Sequence, residues 1–287
     1  MIIDAIHLYT KDYSTSTKIA ELSVNKADLT QSYILQGSVG LEAPDFSPQF
    51  FGTSNSGAIR YYNMRPETRQ VAMRIRLNPQ GAGVSYSSLR DTLYKIISSS
   101  MLSNVELRFM LSTTEKARLT GFITKFESDI FSESPSVQLN MAFPDPFLKD
   151  PTLVSVTGLN LSNPVITDSE STAPHGFSMQ ITLAATVAKL ILQKSPEWYF
   201  TVNGFTFASG DVINFSSVQN NKYLYVMRGT TRFDIVDKLA PGSTWPIIFP
   251  GSNTFNIVME NPIGTALTPA STWSFTSFSY AKTYWGI

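Results

Sequence analysis

Hydrophobic and polar residues alternate strictly along several stretches in the first half of the chain. In the clearest of these, Val137, Leu139, Met141 and Phe143 occupy every second position. Successive side chains of a strand point to opposite faces, so the pattern predicts strands with one buried and one wetter face. The strands predicted in this way are Gln70–Leu77, Val105–Leu111, Arg118–Phe126 and Val137–Phe143. Gly121 lies inside the third strand and indicates a bulge or bend there.

One stretch of the first half has a helical period instead. Between Ser88 and Met101 the apolar residues fall along a single stripe, which predicts an amphipathic helix. The stripe consists of Leu89, Leu93, Ile96, Ile97 and Met101. Ser88 and Asp91 have the spacing of an N-cap and an N3 residue, so we expect the helix to begin at Ser88.

A turn framed by prolines follows the last of these strands. Pro144-Asp145-Pro146-Phe147 comes directly after Phe143, and Pro151 follows shortly afterwards. Proline lacks the N–H group that a strand ladder needs, so pairing should stop at this turn. We therefore predict an N-terminal domain over residues 1–147 and a C-terminal domain over residues 148–287.

The second half of the sequence reads as all β. Its short β-branched or aromatic runs are separated by turn signals such as Asn203-Gly204 and Pro241-Gly242. The predicted strands are Met179–Leu183, Ala188–Gln193, Tyr199–Val202, Val212–Phe215, Tyr223–Met227, Arg232–Val236, Phe255–Glu260 and Ser274–Tyr280. Regular short strands without a helix favour a β-sandwich of the jelly-roll kind. The expected fold class is therefore mainly β: an N-terminal β-barrel or sandwich with one helix, followed by a β-sandwich.

A long segment, Gly37–Thr68, fits neither period. It contains three prolines and several glycines and serines, so we predict an irregular excursion. Its aromatic residues, which are expected to be exposed, are Phe50, Phe51, Tyr61 and Tyr62. Such a loop either contacts a neighbouring subunit or packs on its own domain, and the sequence favours neither.

Composition and charge exclude several classes of function. Lys plus Arg and Asp plus Glu each number 22, so there is no net field to attract nucleic acid or anionic lipid. The sequence contains no run of about 18 apolar residues, so it predicts no membrane span. The sequence has no cysteine, which excludes disulfides, thiolate zinc sites and cysteine nucleophiles. Residues 151–287 carry 7 basic and 7 acidic side chains against 15 and 15 in residues 1–150, so their surface should consist largely of Ser, Thr, Asn and aromatic residues.

The sequence gives little support for catalysis. The two histidines, His7 and His175, lie far apart in the chain and outside any recognisable catalytic motif. The carboxylate pairs Asp234/Asp237 and Glu127/Asp129 lie beside strand and turn signals, where solvated acidic residues are common. We expect no enzyme activity, no cofactor and no metal site.

Several motifs, taken in order along the chain, resemble the distal tail (Dit-like) proteins of long-tailed bacteriophages. They are Leu119-Thr120-Gly121-Phe122-Ile123 after the helix, the strand exit Phe143-Pro144-Asp145-Pro146-Phe147, the step Gly210-Asp211 after a strand, Pro250-Gly251-Ser252-Asn253 before a late strand, and the ending Tyr284-Trp285-Gly286-Ile287. The resemblance spans nearly the whole chain. It implies a galectin-like fold for the C-terminal domain.

The resemblance also implies a structural role at the tip of a phage tail. Such proteins form rings, expected to be hexameric, that join the tail tube to the tail hub, the tape-measure protein and the receptor-binding or side-fibre proteins. Localisation would be the virion, after assembly in the bacterial cytoplasm. A ring closed by pairing between open sheet edges of neighbouring copies would satisfy the unpaired backbone groups of an N-terminal sheet. Arg74 and Arg76 would then face the channel, or would simply form a solvated strand face.

The alternative is a carbohydrate-binding module that attaches a virion to host surface glycans. All four tryptophans, Trp198, Trp245, Trp273 and Trp285, lie in the second half. Aromatic faces pack on the apolar faces of sugar rings, so Trp198 and Trp245 are the candidate glycan contacts. The competing interpretation is that these rings fill the core, with Trp285 docked near the end of the sequence.

Overall fold

The chain folds into two compact units, each built almost entirely of strands. The mainly-β fold class is the one that the sequence predicts. The computed structural model describes residues 3–11, 16–27, 30–52, 59–100, 104–129, 135–269 and 271–286. The first unit comprises Met1–Pro151 together with Tyr284–Ile287, and the second comprises Thr152–Thr283. The division lies four residues beyond the expected boundary at 147/148, and the last residues of the sequence return to the first unit.

The described residues of the first unit form ten strands and two helices. Its elements are β1 (Ala5–Lys11), β2 (Ser16–Ser23), β3 (Tyr33–Val39), β4 (Phe46–Gly52), β5 (Ile59–Pro66), β6 (Arg69–Leu77), α1 (Pro79–Ala82), α2 (Tyr86–Ser100), β7 (Asn104–Leu111), β8 (Thr114–Asp129), β9 (Ser136–Phe143) and β10 (Leu148–Ser155), the last of which continues into the second unit. All four alternating stretches of this half are strands, because their apolar positions share one face.

Seven of these strands close into a barrel in the order β8–β7–β1–β2–β3–β6–β9, with β9 pairing back to β8. The long strand β8 makes closure possible because it changes partner at Gly121, which is the last residue opposite β7, whereas Phe122 is the first opposite β9. A Cβ atom at Gly121 would lie 2.2 Å from the carbonyl oxygen of Ala142, so only glycine fits at this crossing. A register shift follows between Ile123 and Lys125, which confirms the expected irregularity.

The expectation of an open N-terminal sheet, completed by neighbouring copies, is wrong. Each barrel strand has a strand on both sides, so the sheet closes on itself. The weakest joint is that between β2 and β3, which are parallel and share only the pairs Leu22–Tyr33 and Ser23–Ile34. The remaining residues of β2 and β3 on this side have no strand partner within the described part of the chain.

Apolar side chains fill the barrel. The buried cluster consists of Ile6, Leu8, Ala20, Leu22, Tyr33, Leu35, Val71, Met73, Ile75, Leu77, Leu89, Leu93, Val105, Leu107, Phe109, Ala117, Leu119, Val137, Leu139, Met141, Phe143 and Leu148. Leu89 and Leu93 are contributed by α2, whose apolar stripe is thus confirmed at these two positions. The side chains of Ile96 and Ile97, and Met101 itself, lie outside the described residues.

The helix begins earlier than predicted. Ser85, not Ser88, is the capping residue: its Oγ accepts the backbone N–H of Ser88 at 3.2 Å, and its carbonyl accepts that of Leu89 at 3.2 Å. Asp91 does not complete a capping box, because it pairs with Arg90 at 3.1 Å. The sequence offers a serine at 85, 87 and 88, so the pattern alone does not select among them.

The segment Gly37–Thr68 is not the predicted irregular loop. After the end of β3, the strands β4 and β5 form an antiparallel hairpin from the pair Phe46–Pro66 to the pair Gly52–Ile59. Among the strands of the described part, β4 and β5 pair only with each other. Pro48 lies within this two-stranded ribbon and Pro66 at its end, and proline is tolerated at both kinds of position because the strands are edge strands.

The second unit consists of short strands. They are β11 (Val165–Asp168), β12 (Ser178–Leu183), β13 (Val187–Lys194), β14 (Trp198–Phe207), β15 (Val212–Ser216), β16 (Tyr223–Arg228), β17 (Thr231–Asp234), β18 (Gly251–Thr254), β19 (Asn256–Glu260) and β20 (Trp273–Tyr284), with a 3₁₀ turn at Val236–Lys238. One sheet has the order β17–β16–β15–β12–β20, a second has β14–β13–β19, and β11 pairs with β18. Apolar side chains from all three sheets share a single core, which includes Phe177, Phe200, Phe215, Phe255 and Phe278.

Truncation of a barrel-core leucine should destabilise the first unit. Leu107→Ala is expected to lower the free energy of unfolding by about 2–5 kcal/mol, because the side chain is fully buried and leaves a cavity. Hydrogen exchange of β1 and β7 measures this, since two units need not unfold together. The matched control is Leu111→Ala on the same strand, 38% exposed, with an expected effect within about 0.5 kcal/mol. Equal losses of protection in both variants would contradict the barrel assignment of Leu107.

Candidate functional site

The predicted contact residues Phe50, Phe51, Tyr61 and Tyr62 lie on the β4–β5 hairpin. The strand register places Phe50 opposite Tyr61, and Phe51 opposite Arg60. The side chains of these residues lie outside the described part of the structure, so their role stays a prediction. At the base of the hairpin the backbone N–H of Glu67 donates to the carbonyl of Asp45 at 2.8 Å, which fixes where the ribbon leaves the barrel.

The predicted channel-facing residues Arg74 and Arg76 lie on the outward face of β6. Their neighbours in sequence, Met73 and Ile75, point into the barrel and are fully buried. Arg74 is exposed and donates from Nε to Ser136 Oγ at 3.3 Å. The adjacent strands add polar residues, with Gln138 of β9 opposite Arg74 and Glu127 of β8 opposite Gln138. This part of the barrel therefore presents a polar outer face.

A second outward face of the barrel carries a network of paired charges. Arg108 of β7 donates from Nε to Glu106 Oε1 at 2.5 Å, and its guanidinium carbon lies 3.8 Å from the centre of the Tyr9 ring. Glu115 of β8 joins Arg108 to Arg118, at 3.7 Å and 2.7 Å. Burial lowers the pKa of Arg108, but the hydrogen bond to Glu106 and the negative charges of Glu106 and Glu115 together outweigh this, so the net shift is upward. The network connects β1, β7 and β8 without a net charge.

His175 lies in a buried polar cluster of the second unit. Its Nε2 lies 2.7 Å from Asp168 Oδ2, and its Nδ1 lies 3.1 Å from the carbonyl of Gly176. The ring stacks on Tyr280 at a centroid distance of 4.8 Å. Asp168 also accepts the backbone N–H of Ser171 at 3.1 Å. Both nitrogens of the ring are therefore engaged, so the His–Asp pair stabilises a loop and does not activate a nucleophile.

The same loop anchors the end of β20. The backbone N–H of Thr283 donates to Ser171 Oγ at 3.1 Å, and the Thr283 hydroxyl donates to the carbonyl of Ala173 at 2.8 Å. The carbonyl of Thr283 accepts the backbone N–H groups of Thr172 and Ala173. Thr283 is almost fully buried, and every polar group it offers is used. The last residue of the second unit is thus rigidly held.

The step Gly210-Asp211, one of the motifs that carry the resemblance, positions a buried ion pair. Gly210 has φ of +87°, which favours glycine at this turn. Asp211 is fully buried, and both of its carboxylate oxygens accept from Arg228 at 2.8 Å in a bidentate pair. Oδ2 also accepts the backbone N–H of Ala208 at 2.8 Å. Burial raises the pKa of Asp211, but these hydrogen bonds outweigh it and hold the pKa below its usual value.

The two candidate glycan contacts differ in exposure. Trp198 is only 5% exposed, and its indole N–H donates to the carbonyl of Ile247 at 3.0 Å, as expected of a core side chain. Trp245 is half-buried, stacks on Phe215 at 5.7 Å and lies 5.7 Å from the ammonium of Lys222. Trp198 contacts Phe255, whereas Trp245 contacts Phe200 and Phe215. Among the described residues, these two tryptophans therefore do not form one exposed aromatic surface.

The acidic pairs of the sequence are engaged in ordinary surface contacts. Asp234 accepts from Arg232 at 2.7 Å, Asp237 pairs with Lys238 at 2.8 Å and Glu127 pairs with Lys125 at 2.6 Å. Among the described residues, no group of three or more His, Asp or Glu side chains is arranged to hold a metal ion. Within the same residues, no helix combines the length and apolarity that a membrane crossing requires.

A shallow groove of about 370 Å³ lies in the second unit beside β20. Its walls are Ser155–Leu159 and Phe275–Ser279, so hydroxyl groups and apolar side chains line it, and no charged side chain does. A register shift in the pairing of β12 with β20, between Gln180 and Ile181, adds Thr276 as an extra residue in this wall. The groove can offer hydrogen bonds to a neutral ligand but has no group suited to acid–base chemistry.

Comparison with known proteins reveals a likeness in fold but not in sequence. No protein-family model matches the chain, and no curated protein matches it. The crystal structure of the Dit protein of phage SPP1 matches with a TM-score of 0.58 at 11% identity, over 97% of this chain and 98% of that one. That protein is described as a paradigm of the hub adsorption apparatus in phages that infect Gram-positive bacteria. Two structures of the phage p2 baseplate in its activated conformation, with Ca and with Sr, match with TM-scores of 0.45 and 0.40 at 10% identity, over 98% and 97% of either chain. The chain thus has a Dit-like fold over nearly its whole length.

Loss of the cation that pairs with the buried Asp211 should destabilise the second unit. Arg228→Met is expected to lower the midpoint of its thermal unfolding by several degrees, because it leaves a buried carboxylate with one backbone donor. Tryptophan fluorescence measures this, since Trp198, Trp245 and Trp273 lie in this unit. The matched control is Arg232→Met, which breaks the solvent-exposed pair with Asp234 and should have little effect. A similar midpoint for both variants would contradict the structural role of the Asp211 pair.

The same pair predicts how acid affects the second unit. Because the pKa of Asp211 is lowered on folding, its stabilisation is complete above the usual Asp pKa of about 4 and is lost as the pH falls through the lower folded value. In Arg228→Met the pKa of Asp211 should rise to or above its unfolded value, so this acid-sensitive stabilisation should disappear, and acid should lower the stability of the variant less than that of the original chain. Unfolding midpoints measured between about pH 7 and pH 3 test this. Parallel acid profiles for the two proteins would rule it out.

Proposed function

We propose that this chain is a structural component of a phage tail tip, where copies assemble into a six-membered ring that joins the tail tube to the hub and receptor-binding parts. The observation that carries the proposal is the Dit-like fold, which matches the SPP1 protein over 97% of this chain. The chemistry of the described residues agrees with it, because His175 and the acidic pairs are engaged in structural contacts. A scaffold needs surfaces for neighbours more than it needs reactive groups.

Because the barrel is closed, contacts between copies must use elements outside its sheet or the short unpaired stretches beside the β2–β3 joint. The β4–β5 hairpin is the first of these. A two-stranded ribbon is only marginally stable alone in water, and within the described strands this one has no third partner. Packing of its aromatic residues on a neighbouring copy would supply the missing stabilisation. The hairpin of one copy and a different surface of the next would then form the repeated contact that closes a ring.

The unpaired edges beside the weakest barrel joint are the second candidate contact. Beyond the two pairs that join β2 to β3, residues 16–21 of β2 and 35–39 of β3 have no strand partner on that side in the described part. Unpaired edges readily accept another strand. Because the two strands are parallel and staggered, these edges lie towards opposite ends of the joint, which suits a head-to-tail arrangement of copies.

The polar face around Arg74 and Arg76 suits a wet channel. In a ring, a face of β6, β8 and β9 directed at the axis would present Arg74, Gln138 and Glu127 to the lumen. The expected partners are a second copy of this chain, the tail tube protein, the tail hub and tape-measure proteins, and receptor-binding or side-fibre proteins. The expected location is the virion, after assembly in the bacterial cytoplasm.

Replacement of the aromatic pair of the hairpin should abolish the ring. In the double variant Phe50→Ser/Tyr61→Ser, mass photometry should show single chains of 31.8 kDa where the original chain shows rings, because the apolar contact with the neighbour is lost. The matched control is Tyr199→Ser, which removes a 42% exposed aromatic residue from the second unit and should leave rings intact. A strictly monomeric original chain at high concentration, or rings in the double variant, would contradict the proposal.

A second candidate function is attachment to glycans through the second unit, and the surface of one sheet favours it. The outward side chains of β12, β15 and β20 form an uncharged, hydrogen-bonded row: Ser277 donates to Gln180 at 3.4 Å, and Gln180 donates to Asn214 at 2.8 Å. Tyr225 lies next in register after Asn214 and is partly exposed. Amides, hydroxyls and an aromatic ring on a neutral surface suit recognition of a neutral saccharide.

Glycan-array binding of the full chain distinguishes this alternative. If it holds, binding should be saturable and should be lost in Gln180→Ala; loss in Trp245→Ala instead would assign the site to the more exposed of the two predicted tryptophan contacts. Tyr199→Ala, on the other sheet, is the control and should bind as before. Absence of saturable binding to any glycan would leave the ring proposal intact and eliminate the alternative.

A further inference from the structure

Near the end of the sequence, a short aromatic segment binds to the first unit. Tyr284 packs against the barrel core, and its hydroxyl lies 3.4 Å from Asp150 Oδ2. The indole of Trp285 meets the ring of Phe147 edge-to-face at a centroid distance of 4.9 Å. The expectation that Trp285 is docked is confirmed by this contact. The segment Tyr284–Gly286 is named the tail here.

A buried arginine, Arg69, donates a hydrogen bond to the backbone of the tail. Arg69, the first residue of β6, is only 2% exposed, and its guanidinium donates to the carbonyl of Leu41 at 3.2 Å and to the carbonyl of Trp285. Burial lowers its pKa to about 10, with Glu42 acting in the opposite direction, so it stays charged at neutral pH. Its Nε has no hydrogen-bond partner in the described part of the chain. Without the Trp285 carbonyl, a buried charge would lose one of its two acceptors, which is costly.

The loop Leu41–Ala43, which precedes the hairpin, packs so closely on Gly286 that it leaves no room for a side chain there. A Cβ atom there would lie 3.0 Å from the carbonyl carbon of Glu42, 3.1 Å from the nitrogen of Ala43 and 3.2 Å from the carbonyl oxygen of Leu41. These are backbone atoms and cannot swing aside as a flexible side chain does. The loop is itself held in shape, because Glu42 Oε2 accepts the backbone N–H of Gly40 at 2.9 Å.

We propose that Leu41–Ala43, Arg69 and Phe147 form a peptide-binding groove on the first unit, and that its ligand in trans is the aromatic-Trp-Gly segment of a second copy of this chain. Each wall contacts a different feature of the segment. Phe147 packs on the indole of Trp285, Arg69 donates to the Trp285 carbonyl, and Leu41–Ala43 pack on Gly286. The contacts are noncovalent and are the same whichever copy supplies the segment, which is the condition for exchange of an element between copies. The proposal rests on the geometry of the tail alone and does not depend on ring formation.

Binding of a tail peptide in trans tests the proposal. The chain is shortened after Thr283, and a fluorescein-labelled peptide with the sequence of residues 281–287 is added while anisotropy is followed. Binding should be saturable, at least tenfold weaker for a peptide with Gly286→Val, and absent with the unshortened chain, whose groove is occupied. Arg69→Met in the shortened chain should weaken binding at least tenfold, whereas the matched variant Arg74→Met, exposed on the same strand, should not change it.

Equal binding of the original and Gly286→Val peptides, or equal binding by Arg69→Met and Arg74→Met, would overturn the proposal. Should the shortened chain fail to fold, Gly286→Val in the full chain replaces it. Hydrogen exchange is then expected to rise locally at residues 40–43 and around Phe147, with the second unit unchanged. The same exchange at those positions in the variant and the original chain would also overturn the proposal.

Discussion

The double pairing of one long strand is the constraint on which the rest of the first unit depends. β8 pairs with β7 up to Gly121 and with β9 from Phe122 onward, so a sheet that would otherwise have two edges becomes a barrel. Closure gives every barrel strand an inner and an outer side. The inner side must then be apolar and filled, and it is. The outer side takes the polar partners of each alternating pair, which is why Arg74 and the Arg108 network face outward.

Asp211, His175 and Arg69 are buried groups that each have a hydrogen-bond partner held in place by the local backbone. In the second unit, Asp211 has Arg228, and His175 has Asp168. In the first, Arg69 has carbonyl oxygens in place of a carboxylate. The difference matters because the two side chains of an ion pair neutralise each other, whereas the Arg69 guanidinium is hydrogen-bonded only as long as the segments that supply its carbonyl acceptors stay in place. The low charge of the second unit has a matching consequence: hydroxyls and amides on its sheet hydrogen-bond to one another.

Alternation in the sequence located β6, β7, β8 and β9, but it did not locate β1, β2 and β3 or show how the strands join. Apolar side chains alternate with a period of two in an open sheet and in a closed barrel alike. The glycine at position 121 was therefore the one sequence signal that β8 changes partner there and closes the barrel. The hairpin was missed because proline and glycine resemble loop signals when a ribbon has exposed edges. β10 was missed because it contains Pro151, and β11 and β18 because each has only four residues. Arg69 could have been found, because it shares the parity of Val71, Met73 and Ile75. Extending the predicted strand by one residue would have assigned it to the buried side of β6.

A closed barrel changes the physical problem of assembly. An open sheet joins its neighbours by extending its ladder, and each added strand contributes a full set of backbone hydrogen bonds. A closed barrel has no such continuous edge, so association depends on appended segments and side-chain packing. β4 has seven residues and can span about 23 Å at the usual rise of a strand, enough to reach well onto a neighbouring domain. The hairpin leaves the barrel after the loop at residues 40–43, which also holds the tail, so the two appended segments of the first unit share one base. A neighbour that packed on the hairpin would therefore bind an element anchored beside the same loop that contacts Gly286.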